Sequence, residues 1–189
     1  MKLFKELARA VRNRKYEATD AGMHFPAINM QLGGEFSLQV NDGPVDTFPN
    51  LVVDEWRTRA LEILFSGATQ VTDFYLAPYA ANQTPLATWT AANFTSNATE
   101  FTNYVETTRQ PWTVGAVDTF SIGNTASKAV FTVGTGAGDT IWGVGLLSQS
   151  AKSATTGYLI AANKSATSRS SLVEGDEITV GYTISLSAA

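Results

Sequence analysis

At 189 residues, with 44% hydrophobic, 11% aromatic and 16% charged side chains, the chain has enough apolar material for one substantial core and too little charge for a disordered protein. It has no cysteine and one histidine, His24, which excludes disulfides, thiolate metal sites, a cysteine nucleophile and zinc sites built from several histidines. The net charge of −4 is unevenly spread: residues 1–15 hold six Lys and Arg against Glu6, a local +5, and the other residues total −9.

From Met1 to about Lys15, Leu3, Leu7 and Val11 recur every fourth position with Phe4 and Ala8 beside them, the stripe of an amphipathic helix. This defines a basic arm over residues 1–21, followed by one β-rich domain over 22–189. The arm lacks the apolar centre and cleavage site of a secretory signal, and no run approaches the roughly 20 apolar residues of a membrane span, so export by that route and membrane insertion are not expected.

His24 to Val40 reads as a strand, with Phe36, Leu38 and Val40 alternating and Gly33-Gly34 marking a bend. Asn41-Asp42-Gly43-Pro44 is a turn, because Asn, Asp and Gly tolerate left-handed angles and Pro fixes φ. A second helix is predicted at about 51–65. Asn50 is its cap, Asp54 and Glu55 complement its dipole, Val53, Trp56, Ala60, Ile63 and Leu64 form a buried stripe, and Gly67 closes it.

Beyond Gly67, Thr, Ser, Gly, Val and aromatics dominate. Strands are predicted at Val71–Pro78, Glu100–Glu106, Trp112–Ile122, Lys128–Val133, Thr140–Ser148, Gly157–Ala162 and Glu177–Leu186. Short strands without intervening helix signals give a mainly β class, an antiparallel sandwich of jelly-roll type.

The residues offer little catalytic chemistry. Gly134-Thr-Gly136-Ala-Gly138-Asp139 lies between strand-like runs and opens no helix, so it reads as a hairpin or flexible loop and not as a phosphate cradle. Carboxylates pair at Asp54-Glu55, at Glu100 with Glu106, and at Glu174 with Asp176 and Glu177. Helix N-termini and turns use such residues routinely, although a polysaccharide hydrolase built on Glu100 and Glu106 is one alternative. Trp89, Trp112 and Trp142, with Phe74, Tyr75, Tyr79, Phe94, Phe101 and Tyr104, suit a sandwich core better than a sugar platform. No catalytic, cofactor or metal residue is assigned.

The arm is the binding candidate. Lys2, Leu3, Phe4, Lys5, Leu7, Arg9, Val11 and Arg12 are its proposed partner contacts, with docking on the chain's own domain as the competing reading. Nucleic acid is disfavoured because no base-reading motif accompanies the cations.

The ordered run Gly22-Met-His24-Phe-Pro26, Gly33-Gly34-Glu-Phe36, Asn41-Asp-Gly-Pro44, Asn50-Leu-Val-Val-Asp-Glu55 and Gly67-Ala-Thr-Gln70 resembles a group of small virion proteins of tailed bacteriophages. Phe74-Tyr-Leu, Pro85-Leu, Thr90-Ala-Ala92, Ala98-Thr-Glu-Phe101, Tyr104, Arg109-Gln-Pro111, Ala129-Val-Phe131, Gly143-Val-Gly145 and Glu174-Gly-Asp176 continue it, so the resemblance covers most of residues 22–186. It implies a structural protein of the phage particle, made in the host cytoplasm, without catalysis. The expected role is a decoration, cement or collar component on the capsid or head-to-tail junction. Its expected partners are major capsid, portal or neck proteins and further copies of itself, with a trimer the natural guess. A tail-fibre or receptor- and glycan-binding component is the alternative.

Overall fold

The computed structural model describes residues 16–18, 24–26 and 30–188. The helix predicted from Met1 to about Lys15 lies outside them, while Tyr16–Ala18, within the predicted arm over 1–21, is described and is a strand. Tyr16–Ala18 (β1) and His24–Pro26 (β2) form an antiparallel pair in register Tyr16 to Pro26, in a small unit separate from the body Gly33–Ser185.

The protein is mainly β, with antiparallel sheets. After Met30–Val40 (β3) come Asp46–Pro49 (β4), Leu51–Val52 (β5), the helix Asp54–Phe65 (α1), Tyr75–Tyr79 (β6) and a second helix, Ala91–Ala98 (α2). Gln110–Pro111 (β7), Ser121–Gly123 (β8), Ala129–Thr132 (β9), Ala137–Leu147 (β10), Leu159–Val173 (β11) and Glu177–Ala188 (β12) follow.

One sheet has the order β5-β11-β10-β6-β7; the other runs β4-β3-β12-β8, with β9 also on β12. Strand β12 is the spine of the second sheet: Glu177–Val180 pair with β9 and Thr183–Ser185 with β8, while β3 lies on its other side. The predicted turn at Asn41 forms, with φ of +48° at Asn41 and the Gly43 N–H donating to Val40 O at 3.0 Å. It also joins the second sheet together, since Asn41 N–H donates to Glu177 O at 2.8 Å and Asn41 Oδ1 accepts the Glu177 N–H at 2.8 Å. Gly34 is needed for close approach: a Cβ there would collide with the Thr183 carbonyl oxygen on β12.

Two apolar clusters use opposite faces of the first sheet. The larger takes Phe36, Leu38 and Phe48 from β3 and β4 and Phe131, Ile178, Val180 and Tyr182 from β9 and β12, together with Leu76, Ile141, Val144, Leu146 and Ile160 from the first sheet. The smaller gathers Ala77, Tyr79, Leu147, Leu159 and Ala162 of the first sheet under Val53, Trp89, Ala91, Phe94 and Ala98. Gly145 belongs to this second layer by its emptiness, because a Cβ there would strike the Phe94 ring.

Several expected elements differ. Helix α2 was not foreseen, because its Thr, Ser and Asn content reads as loop; its signals are Ala91, Phe94 and Ala98 on one buried face and Asn93 Oδ1 accepting the Thr90 N–H at 2.9 Å. The predicted strand at Val71–Pro78 is confined to Tyr75–Tyr79. Glu100–Glu106 is irregular, held by isolated bridges from Tyr79 to Glu100 and from Tyr104 to Val133. Trp112–Ile122 is likewise no strand: only Ser121 and Ile122 within it belong to β8, and residues 113–120 are exposed.

Strand β11 continues far past Ala162. Its polar run pairs with β10 through shifted registers, and the jump from Gly143–Lys164 to Ile141–Arg169 leaves extra residues on β11. Ser165 anchors this bulge, its hydroxyl hydrogen-bonded to Asp46 and to Thr167 O. The glycine-rich stretch from Gly134 is not a hairpin, because it carries the chain from β9 in one sheet to β10 in the other.

Candidate interaction surface

Helix α1 is divided along its length. Its start is fastened: buried Val53 donates its N–H to Ile160 O at 3.2 Å and Asp54 donates its N–H to Ala87 O at 2.8 Å. The predicted cap, Asn50, does not cap. Val53 occupies that position, and Asn50 Nδ2 donates instead to the Tyr182 hydroxyl at 2.6 Å. Glu55 does more than complement its own helix. One carboxylate oxygen accepts the Ala91 N–H at 2.9 Å and the Leu159 N–H at 2.7 Å, so its charge serves the N-terminus of α2 and the start of β11. The Arg59 guanidinium lies 5.0 Å above the Tyr158 ring.

The second half of α1 has no such cover. Leu61, Leu64 and Phe65 are 58%, 68% and 80% exposed, and no residue of the helix itself is fully buried. The predicted buried stripe is thus corrected: Val53 is buried, Trp56, Ala60 and Ile63 are half-buried, and Leu64 faces solvent. Gly67, at φ of +68°, does close the helix as expected.

Leu64 joins this face to a mainly apolar groove of about 250 Å³ lined also by Trp56, Ala60, Ile63, Val71 and Phe74, with Gln70 its one polar side chain. Trp56 and Phe74 also line an adjoining cleft of about 280 Å³ that reaches Trp112, Ile122, Ile160 and Ile184. An aromatic chain leads from the groove into the core. Trp56 meets Phe74 edge-on at 5.6 Å, Phe74 meets Trp112 at 6.0 Å, Trp112 meets Tyr182 at 5.5 Å and Tyr182 stacks on Phe36 at 4.2 Å. Further apolar side chains, Val117 and Phe120, are exposed on the segment between β7 and β8. Exposed apolar side chains grouped in this way mark a surface for association.

Elsewhere the polar residues are tied into the fold. Arg109 and Glu100 are fully buried and bidentate, with Nε to Oε1 at 2.8 Å and Nη2 to Oε2 at 2.7 Å. Arg109 Nη1 also donates to Gln149 O at 2.9 Å, and Glu100 Oε2 accepts the Ser153 N–H at 3.1 Å. Glu106 has both its oxygens accepting the Thr132 N–H. Glu100 is thus engaged by Arg109 and Ser153, and Glu106 by the Thr132 N–H.

Lys152 closes the same loop, donating to Thr102 O at 3.1 Å and Tyr104 O at 2.7 Å with its ammonium 3.6 Å from the Tyr104 ring centre. Burial holds its pKa below the usual lysine range, against the opposite pull of Glu106 and Glu100. The Tyr104 hydroxyl is buried and finds no hydrogen-bond partner among the described residues.

The eight proposed contacts Lys2, Leu3, Phe4, Lys5, Leu7, Arg9, Val11 and Arg12 lie outside the described residues. The aromatics belong mostly to the two cores: Tyr79, Trp89, Phe94, Phe101, Tyr104 and Trp112 are buried, and Phe74, Tyr75 and Trp142 are half-buried. The solvated turn at Glu174–Glu177 forms as expected, with Gly175 at φ of +88° and Asp176 Oδ2 accepting the Val173 N–H at 2.9 Å. The exposed end of α1 was missed because a 3.6-residue stripe does not tell a core-facing helix from one awaiting a partner.

Among the described residues no group of three or more His, Asp or Glu side chains is placed to hold a metal, and no helix is long and apolar enough to cross a membrane. The chain matches no protein-family model and no curated protein sequence.

Proposed function

We propose that the chain is a non-catalytic accessory structural protein of a tailed-phage particle, assembling with other virion proteins and with copies of itself on the capsid or at the head-to-tail junction. The phage assignment rests on the ordered resemblance over residues 22–186. The assembly role is carried by one observation, the exposed Leu61, Leu64 and Phe65 face beside the Trp56–Phe74 groove. A solvated monomer gains nothing from such a face, whereas burying each of these side chains in an interface stabilises it by roughly 1.5–3 kcal/mol. We read the two sheets as a sandwich of jelly-roll type, because the larger apolar cluster draws side chains from both.

The test is quantitative mass spectrometry of particles purified from a lysate of the strain that encodes the chain. We expect the protein in the particle fraction at a stoichiometry of hundreds of copies for a decoration role or about a dozen for a collar. Its absence from purified particles would refute the assignment. A handful of copies would move it to a tail fibre.

A further inference from the structure

We propose that the groove beside α1 receives residues 3–11 of a second copy of this chain, so that each basic arm docks on a neighbour's apolar helix face. This deepens the assembly reading by naming the partner of its surface.

Three observations meet here. The groove is mainly apolar on its walls, with Trp56, Ile63, Leu64 and Phe74 among its lining residues, and the helix side chains next to it remain exposed. Leu3, Phe4, Leu7 and Val11 repeat at the spacing that presents one apolar edge to such a groove, with cations on the remaining positions.

The charges also match. Residues 1–15 carry +5 and the remainder −9. From Asp54 to Asp73, the stretch bearing the groove, there are four carboxylates and two guanidiniums. Both guanidiniums are already paired, Arg57 with Asp54 and Arg59 with Glu62. Glu55 is engaged by the Ala91 and Leu159 N–H groups, which leaves Asp73, exposed and bonded only to the neighbouring Thr72 hydroxyl among the described residues, as the carboxylate beside the groove that attracts an incoming basic segment. A second copy supplies both halves of this complementarity without any further component, and reciprocal docking closes the assembly.

The absence of native cysteine makes the test clean. One full-length chain carries Leu64→Cys; a second, with a mass tag, carries Leu3→Cys, Leu7→Cys or Val11→Cys. The two are purified, mixed and oxidised. A disulfide requires the two Cβ atoms to come within about 4.5 Å, so its formation reports contact.

We expect a mixed dimer with at least one of the three positions, at tenfold or more the yield given by Ser96→Cys as acceptor. Adding Asp73→Lys to the acceptor should lower that yield at least threefold by reversing the charge at the rim, and because Asp73 is exposed that chain should keep its circular dichroism spectrum. The proposal is overturned if all three donors crosslink no better than with Ser96→Cys. It is equally overturned if chains carrying both cysteines close only within the monomer. Either result leaves the particle measurement untouched, so failure of this docking and failure of the virion reading are distinguishable.

Discussion

The loop around Glu100 and the exposed end of α1 handle their awkward side chains in opposite ways. The first buries a charged pair completely and satisfies it with carbonyls and amides from residues 149–154. The second leaves Leu61, Leu64 and Phe65 in water although a buried core lies one aromatic ring away. A buried ion pair fixes a geometry more than it adds stability, because desolvation offsets most of the attraction. An exposed apolar face costs the monomer little and becomes useful only when covered. One region therefore holds the fold together, and the other is the surface on which the proposed assembly rests.

The largest effect should come from breaking the first region. Arg109→Ala strands Glu100 in the interior and should cost about 3–5 kcal/mol in urea unfolding, whereas Glu100→Leu with Arg109→Met should recover most of that loss. If the single and double variants are equally damaged, the pair is not the source of the instability.

Tyr104→Phe tests the same region with the opposite sign. Removing a buried hydroxyl that lacks a partner should raise unfolding free energy by about 1 kcal/mol, and a loss of stability would mean that the hydroxyl is bonded in solution.

In the second region the expected effect on folding is small. Leu64→Asp should change monomer stability by no more than about 0.5 kcal/mol, read as a denaturant midpoint. A large drop would show that the face is covered within the monomer.

The smallest effect concerns pH. Asp176 is held below the usual carboxylate range by the Asn41 side-chain amide first and by the Val173 N–H second. Its folded pKa is depressed, so its contribution is present above the ordinary aspartate value and is lost as pH falls through the folded one. Asn41→Ala should flatten that acid limb slightly, measured as thermal midpoint against pH.

The two regions were unequally legible in the amino-acid order. The spine strand was plain because Ile178, Val180 and Tyr182 alternate and are all buried. The turns at Asn41 and Gly175 announced themselves through residues suited to positive φ. Helix α2 was hidden because its eight residues include only one large apolar side chain, Phe94, and its stability comes from tertiary contacts, among them the Glu55 carboxylate on its first N–H. The second half of β11 was hidden for a related reason, since Ser165 to Ser171 shows no alternation and is specified by pairing with β10 and by Asp46. Glu100 and Arg109 were visible as residue types, but their meeting is a property of the fold.

The placement of β12 has a temporal consequence. A strand from the far end of the chain separates β3 from β8 and β9, and Asn41 and Asp176, which join their tips, are 135 residues apart. At roughly 5–20 residues per second of synthesis, β3 waits on the order of ten seconds for its neighbour. Every strand of the first sheet has by then been made. The second sheet is thus the last to close, and translation itself sets the moment at which the domain becomes whole.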